Sequence, residues 1–348
     1  MSTPTSTDRV TLRAPDDVLA KVPFLIGFHP TESLVALAFG DARQLKFATR
    51  IDLPASTDGD AVADMTRRLV SLLCARSTCY CVLVAYTACR EDATPILRTV
   101  LASFGDAGIS VLDALVADGR RWWSDVCADL TCCPPEGRPY DLSRHPVTAR
   151  SIYGGEVALA DQEALRGSLA APSGPARAAM EATIRRVEAE VSPEGASDRV
   201  EGGVRAAALG PDSEVAVVQS RAAFVGELLR AHRPGGHRAS DEEIARVAVH
   251  VADVAVRDEV WSSMTAASAP AHVAFWTEVV RRVVAPYDVA PAALLAFAAW
   301  LHGKGALARC ALERAHASDP GYTMARLIED LLLRGVPPEV WTPPHQAC

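Results

Sequence analysis

Apolar positions recur every second residue in short stretches of the first 125 residues, and at helical spacing almost everywhere beyond residue 160. Residues 10–13 read as a short strand, and Pro15-Asp16-Asp17 then opens a helical turn at 18–22 that Pro23 ends, because an internal proline removes a donor and crowds the preceding turn. Residues 33–39 are an apolar run, and after Gly40-Asp41 residues 46–53 alternate, with Phe47, Ile51 and Leu53 on one face and Arg50 and Asp52 on the other. That pattern predicts an antiparallel hairpin. Val62, Met65, Leu69 and Leu72 recur at helical spacing within 58–76 and lead into a near-continuous apolar strand at 79–86. A second helix, with Pro95 in its first turn and its end at Phe104, passes through Gly108 into a strand at 109–117. The Asp118-Gly119 turn returns the chain as a strand at 120–124, since glycine tolerates positive φ.

Alternating strands and helices imply an α/β domain with a mixed sheet of about five strands covered by helices. Residues 133–150 hold Pro134, Pro135, Pro139 and Pro146 without clear periodicity and read as an ordered connector. The α/β domain therefore spans residues 1–150, and an all-α domain spans 151–348. Helices are predicted at 161–170, 175–191, 212–232, 241–257, 271–284, 291–302, 306–318 and 322–334, with the weakest patterns at 192–203 and 233–239. Trp300, Ala308, Ala315 and Pro320 match positions of a tetratricopeptide-like helix pair near 291–320. One such pair is visible where an array needs about three, so it reads as part of an irregular bundle.

Hydrophobic residues make up 49% of the 348 and charged residues 22%, which places the chain among folded globular proteins. A formal net charge of −8 repels phosphate backbones and anionic lipid, so neither nucleic acid nor membrane is expected as a partner. The polar tail at 1–8 has no apolar core and no stretch approaches the roughly 18 apolar residues of a membrane span; a cytoplasmic protein is expected. Nine cysteines on such a chain suit reduced thiols or a metal site better than structural disulfides.

Several blocks carry a family resemblance: Val22-Pro23-Phe24-Leu25-Ile26-Gly27-Phe28-His29-Pro30, Ser33-Leu34-Val35, Arg50-Ile51-Asp52-Leu53-Pro54, Gly119-Arg120-Arg121-Trp122-Trp123-Ser124, Cys132-Cys133-Pro134-Pro135-Glu136-Gly137 and Ala299-Trp300-Leu301-His302-Gly303-Lys304-Gly305-Ala306. Together they resemble the actinobacterial family known as domain of unknown function 4192 over nearly the whole chain. The resemblance implies no activity, cofactor or partner.

Candidate chemistry is sparse. The phosphate-loop, zinc-protease, nucleophile-elbow and dinucleotide fingerprints do not occur. Cys127-x4-Cys132-Cys133 is the densest group of soft ligands, and His145, twelve residues beyond Cys133, completes a four-ligand zinc set. Packed thiols, or a reactive thiol activated by Arg120, Arg121 or Arg138, are the other readings of that cluster. Cys79 and Cys81 share one strand face and read as small hydrophobes. His29, in a turn between Phe28 and Pro30, is either an acid–base group or a turn histidine. Arg50 and Asp52, two apart on one strand face, form either a polar site or an edge that discourages aggregation. Arg121-Trp122-Trp123 combines residue types enriched at binding hot spots, with one tryptophan facing the core.

Two functions follow. One is a non-catalytic interaction or regulatory protein that meets a protein partner through its helical domain and the Arg121-Trp122 surface. The other is an enzyme or small-ligand binder around His29, Arg50, Asp52 and Arg121. Structural zinc is the one cofactor suggested, and catalysis is neither indicated nor excluded. A deep pocket uniting those four residues would favour the enzyme.

Overall fold

The computed structural model describes residues 12–191, 211–232, 236 and 238–344. Helix α1 (Pro15–Ile26) starts with Pro15 in its first turn, where the missing N–H costs nothing. The Asp17 carboxylate there accepts from the backbone N–H groups of Arg13 at 2.7 Å and Ala14 at 3.1 Å. The helix does not stop at Pro23 but runs one turn further, to a cap at Gly27 with φ 91°. Pro23 forgoes one helical hydrogen bond, but Val22 and Ile26 on either side of it are buried, and that packing holds the last turn. Leu12 and Arg13 lie outside any strand; Val10 and Thr11 fall outside the described residues.

Strand β1 (Ser33–Phe39) is buried at all 7 positions. It pairs antiparallel with β2 (Leu45–Asp52) on one edge and with β3 (Tyr80–Tyr86) on the other. Strand β3 lies parallel to β4 (Ser110–Ala117), and β5 (Arg121–Ser124) and β6 (Arg138–Pro139) continue antiparallel. The mixed sheet thus has 6 strands in the order β2-β1-β3-β4-β5-β6. The added strand is two residues of the proline-rich stretch, which carry no periodicity of their own.

Helices α2 (Gly59–Ala75) and α3 (Arg90–Asp106) cover one face. Met65, Leu69, Leu73, Ile96, Val100 and Phe104 pack there against Leu34, Ala36, Cys81, Leu83, Ala114 and Val116. Helix α3 begins five residues before Pro95, because buried Ala93 extends its apolar stripe back by a turn. On the opposite face the register aligns Val35, Val84 and Leu115, all fully buried. Helix α1 lies on that side, where Trp122 donates its indole N–H to Asp16 at 2.7 Å.

Residues 146–165 extend this unit. Helix α4 (Pro146–Tyr153) follows the proline-rich stretch, and Lys21 bonds Ser151 and Glu156. Phe28 forms an isolated parallel bridge to Leu159, and a short helix, α5 (Gln162–Gly167), follows. Contacts divide the chain into two compact units, Met1–Leu165 and Arg166–Cys348.

The second unit contains α6 (Gly174–Val191), α7 (Pro211–Ala231), α8 (Asp241–Ala252), α9 (Val254–Ser262), α10 (Ala269–Arg282), α11 (Val289–Leu301), α12 (Gly305–Ser318) and α13 (Thr323–Leu333), with no strand among the described residues. Helix α11 is buried along all 13 residues, and α8, α10, α12 and α13 pack around it. A helix apolar on every side is a core helix. The single helix expected at 241–257 is two, because the Asp253 side chain accepts from the Ala255 N–H at 2.9 Å and caps α9. Aspartate favours such caps over helix interiors, while the apolar spacing continues undisturbed across the break.

Each unit has a buried core of its own, so limited proteolysis is expected to leave a stable fragment close to one unit in size; a digest that yields none would contradict this.

Burial lowers His250 in α8 to about 4, with repulsion from Arg221 and Arg246 adding to it. Burial likewise lowers His272 in α10 to about 4. Above the ordinary value of 6.5 both are neutral whether the chain is folded or not, and stability does not depend on them. Between 6.5 and about 4 the unfolded chain alone takes up protons, so stability falls as pH drops through that window. The urea midpoint is expected to be lower at about pH 4.5 than at neutral pH, with a smaller difference in a His250→Gln/His272→Gln variant.

Candidate metal centre

The loop that follows β5 has no ladder to satisfy its backbone, and side chains do so instead. Ser124 at the end of β5 donates its hydroxyl to Asp113 at 2.7 Å and accepts from the Cys127 N–H at 3.1 Å. The Asp129 carbonyl then takes the N–H groups of Cys132 at 3.1 Å and Cys133 at 2.7 Å. Its carboxylate takes the Thr131 N–H at 2.8 Å and hydroxyl at 2.7 Å, an aspartate-centred turn. The two turns fold Cys132 and Cys133 back beside Cys127, and the three Sγ atoms lie within 4.8 Å of one another. Cys132 is exposed, and Cys127 and Cys133 are half-buried. Burial, then hydrogen bonding among the three thiols, pushes Cys133 up to about 12.

Three guanidinium groups hold the carbonyls of this loop. Arg138 donates to Cys132 and, at 2.6 Å, to Thr131. Arg121 donates to Glu136 at 3.1 Å and Gly137 at 2.7 Å. Arg90, from the first turn of α3, donates to Pro135 at 3.3 Å and sits 5.3 Å over the Trp123 ring. The Trp123 indole N–H also donates to Pro135, at 3.0 Å. Gly137 is required where it stands: its φ is 77°, and a Cβ would lie 2.4 Å from the Trp123 ring.

The remaining candidates are placed elsewhere. His145 does not join the thiols. Its Nδ1 accepts from the Val147 N–H at 3.3 Å to cap α4, and its Nε2 lies 3.6 Å from Asp17. Trp122 is 4% exposed and engaged with Asp16, so it is no surface residue; Trp123 is the tryptophan that reaches the loop. Arg50 pairs with Asp52 at 2.5 Å, donates to Ser33 at 2.8 Å and lies 5.9 Å from the Phe28 ring. His29 is exposed, and its backbone N–H donates to Leu159 at 2.9 Å. Arg121 faces the loop carbonyls. Two open cavities line α7 in the helical unit, and neither is lined by His29, Arg50, Asp52 or Arg121. Asp129, Gly137 and Arg90 escaped the reading of the sequence. A turn signal marked the first two, whereas nothing near Arg90 points to a partner 45 residues away.

Fold and site together define a protein with an α/β unit that carries a braced cluster of three thiols on its surface, followed in the chain by a helical unit. The chain belongs to the family described as a domain of unknown function, DUF4192, whose model matches residues 15–339 and so includes the thiol loop and helices of both units. No curated protein and no solved structure matches it.

A Gly137→Ala variant is expected to lose about 1–3 kcal/mol of stability, because it forces both a strained φ and displacement of Trp123. Chemical denaturation measures the loss, and altered tryptophan emission reports the displaced ring.

Proposed function

We propose that the protein is a non-catalytic regulatory or interaction protein of the cytoplasm, acting on a protein partner, whose first unit presents a zinc-bound thiolate loop. The convergence of Cys127, Cys132 and Cys133 on a braced surface loop carries this reading. Zinc drawn to these thiolates would lock the loop, since ligand assembly and folding are coupled in such sites. Leu130, 69% exposed, and Val126, 45% exposed, belong to the same loop as the exposed Cys132 and give it apolar contact area. Of the four residues considered for a catalytic site, Arg50 and Asp52 pair with each other, Arg50 also bonds Ser33, and Arg121 bonds the loop carbonyls. A net charge of −8 argues against nucleic acid and anionic membrane as partners, and no described helix is long and apolar enough to cross a bilayer.

Protein purified without chelators is expected to carry close to one zinc per chain. A Cys127→Ser/Cys132→Ser variant should lose the metal, and chelation should make the loop after β5 sensitive to protease. Metal-free protein in which Cys132 or Cys133 alkylates rapidly below about pH 7 would overturn the assignment in favour of a reactive thiol.

A further inference from the structure

We infer that this centre is an open one: Cys127, Cys132 and Cys133 supply three thiolates to a single thiophilic divalent ion, and the fourth ligand comes from outside the chain. The inference rests on the zinc reading above and deepens it. Tetrahedral zinc with bonds of about 2.3 Å sets its sulfurs about 3.8 Å apart. Sulfurs that already lie within 4.8 Å of one another are at most about 1 Å from that spacing.

A fourth protein ligand is missing from the cluster. Among the described residues, no histidine, aspartate, glutamate or further cysteine offers a ligand atom within the group. The nearest candidates in sequence have other engagements. His145 caps α4 and faces Asp17, the Asp129 carboxylate holds Thr131, and Asp125 sets one carboxylate oxygen 3.7 Å from Arg90, while its other oxygen, buried and without a hydrogen-bond partner, lies outside the thiol group. Cys132 is the exposed member, so the uncoordinated side of the ion is the solvent side. Closed four-ligand sites serve structure, whereas three protein ligands leave a position for an exchangeable group.

Charge supports the same stoichiometry. Three thiolates on a divalent ion leave one net negative charge. Arg90, Arg121 and Arg138 converge on the carbonyls of residues 131, 132 and 135–137, placing three fixed cations around the loop that would hold that anion. A neutral centre of two thiolates and two imidazoles would gain nothing from them. The external ligand that suits such an ion is a soft or borderline donor, an imidazole, or a thiol that gives up its proton to solvent as it binds; either takes the place of a water released to solvent.

The test uses the full-length protein loaded with Co²⁺ in place of zinc. Tetrahedral d–d bands and sulfur-to-cobalt charge transfer are expected, with Cys132→Ser, a change at an exposed position, removing about a third of the charge-transfer intensity. Added imidazole should shift the d–d bands, 2-mercaptoethanol should raise the charge-transfer intensity, and His145→Ala should leave spectrum and stoichiometry unchanged. Bands that ignore both added donors, or that change in His145→Ala, would show a closed site and overturn the open centre while leaving the metal reading intact. Failure to bind either Co²⁺ or zinc would overturn both.

Discussion

A surface loop keeps one shape where donors hold its backbone carbonyls, and between β5 and β6 no neighbouring strand or helix backbone supplies them. Arg90, Arg121 and Arg138 do, together with the Trp123 indole. This constraint fixes the path of the chain from Cys132 to Gly137 and thereby the distance from Cys127 to its two partners. It also explains why a surface loop keeps a defined shape. Its donors are long planar cations from β5, β6 and α3, each anchored in regular structure.

The anchors are rigid because the sheet beneath them is buried on both sides. Strand β1 hides every side chain, which requires helices on each face: α2 and α3 on one, α1 on the other. Trp122 and Trp123, adjacent on β5, divide between those faces. Trp122 locks the first turn of α1 through Asp16, and Trp123 turns to the thiol loop. One short strand thus ties both sides of the core to the candidate metal centre, since Trp123 packs against the α2–α3 side of the core as well as bonding the loop.

The electrostatics of the unit follow from the same arrangement. The arginines around the loop are held by their hydrogen bonds to its carbonyls, and they set positive charge around the thiol loop of an acidic molecule. In the helical unit, by contrast, two histidines with lowered values, His250 and His272, are buried between helices and bear on stability with pH rather than on a site. The cavities along α7 hold no cluster comparable to the thiols.

The amino-acid sequence by itself determined the local elements: the β1–β2 hairpin, the helix–strand alternation up to Ala117, and most helices of the second unit, because apolar spacing of two or about 3.6 reports which face of an element is buried. It also marked the dense cysteine triplet and, through its blocks, the family. The extension of α1 past Pro23 and of α3 ahead of Pro95 depended on burial, which outweighed the loss of one hydrogen bond. The break at Asp253 was hidden because a cap changes one residue's hydrogen bonding without disturbing the apolar period. Only the tertiary structure decided that Trp122 rather than Trp123 is buried, that His145 caps a helix instead of meeting the thiols, and that Arg90 reaches Pro135. Those outcomes follow from strand order and from which face of the sheet each helix covers, and residues far apart in the chain carry no local signal of the neighbours that such an order gives them.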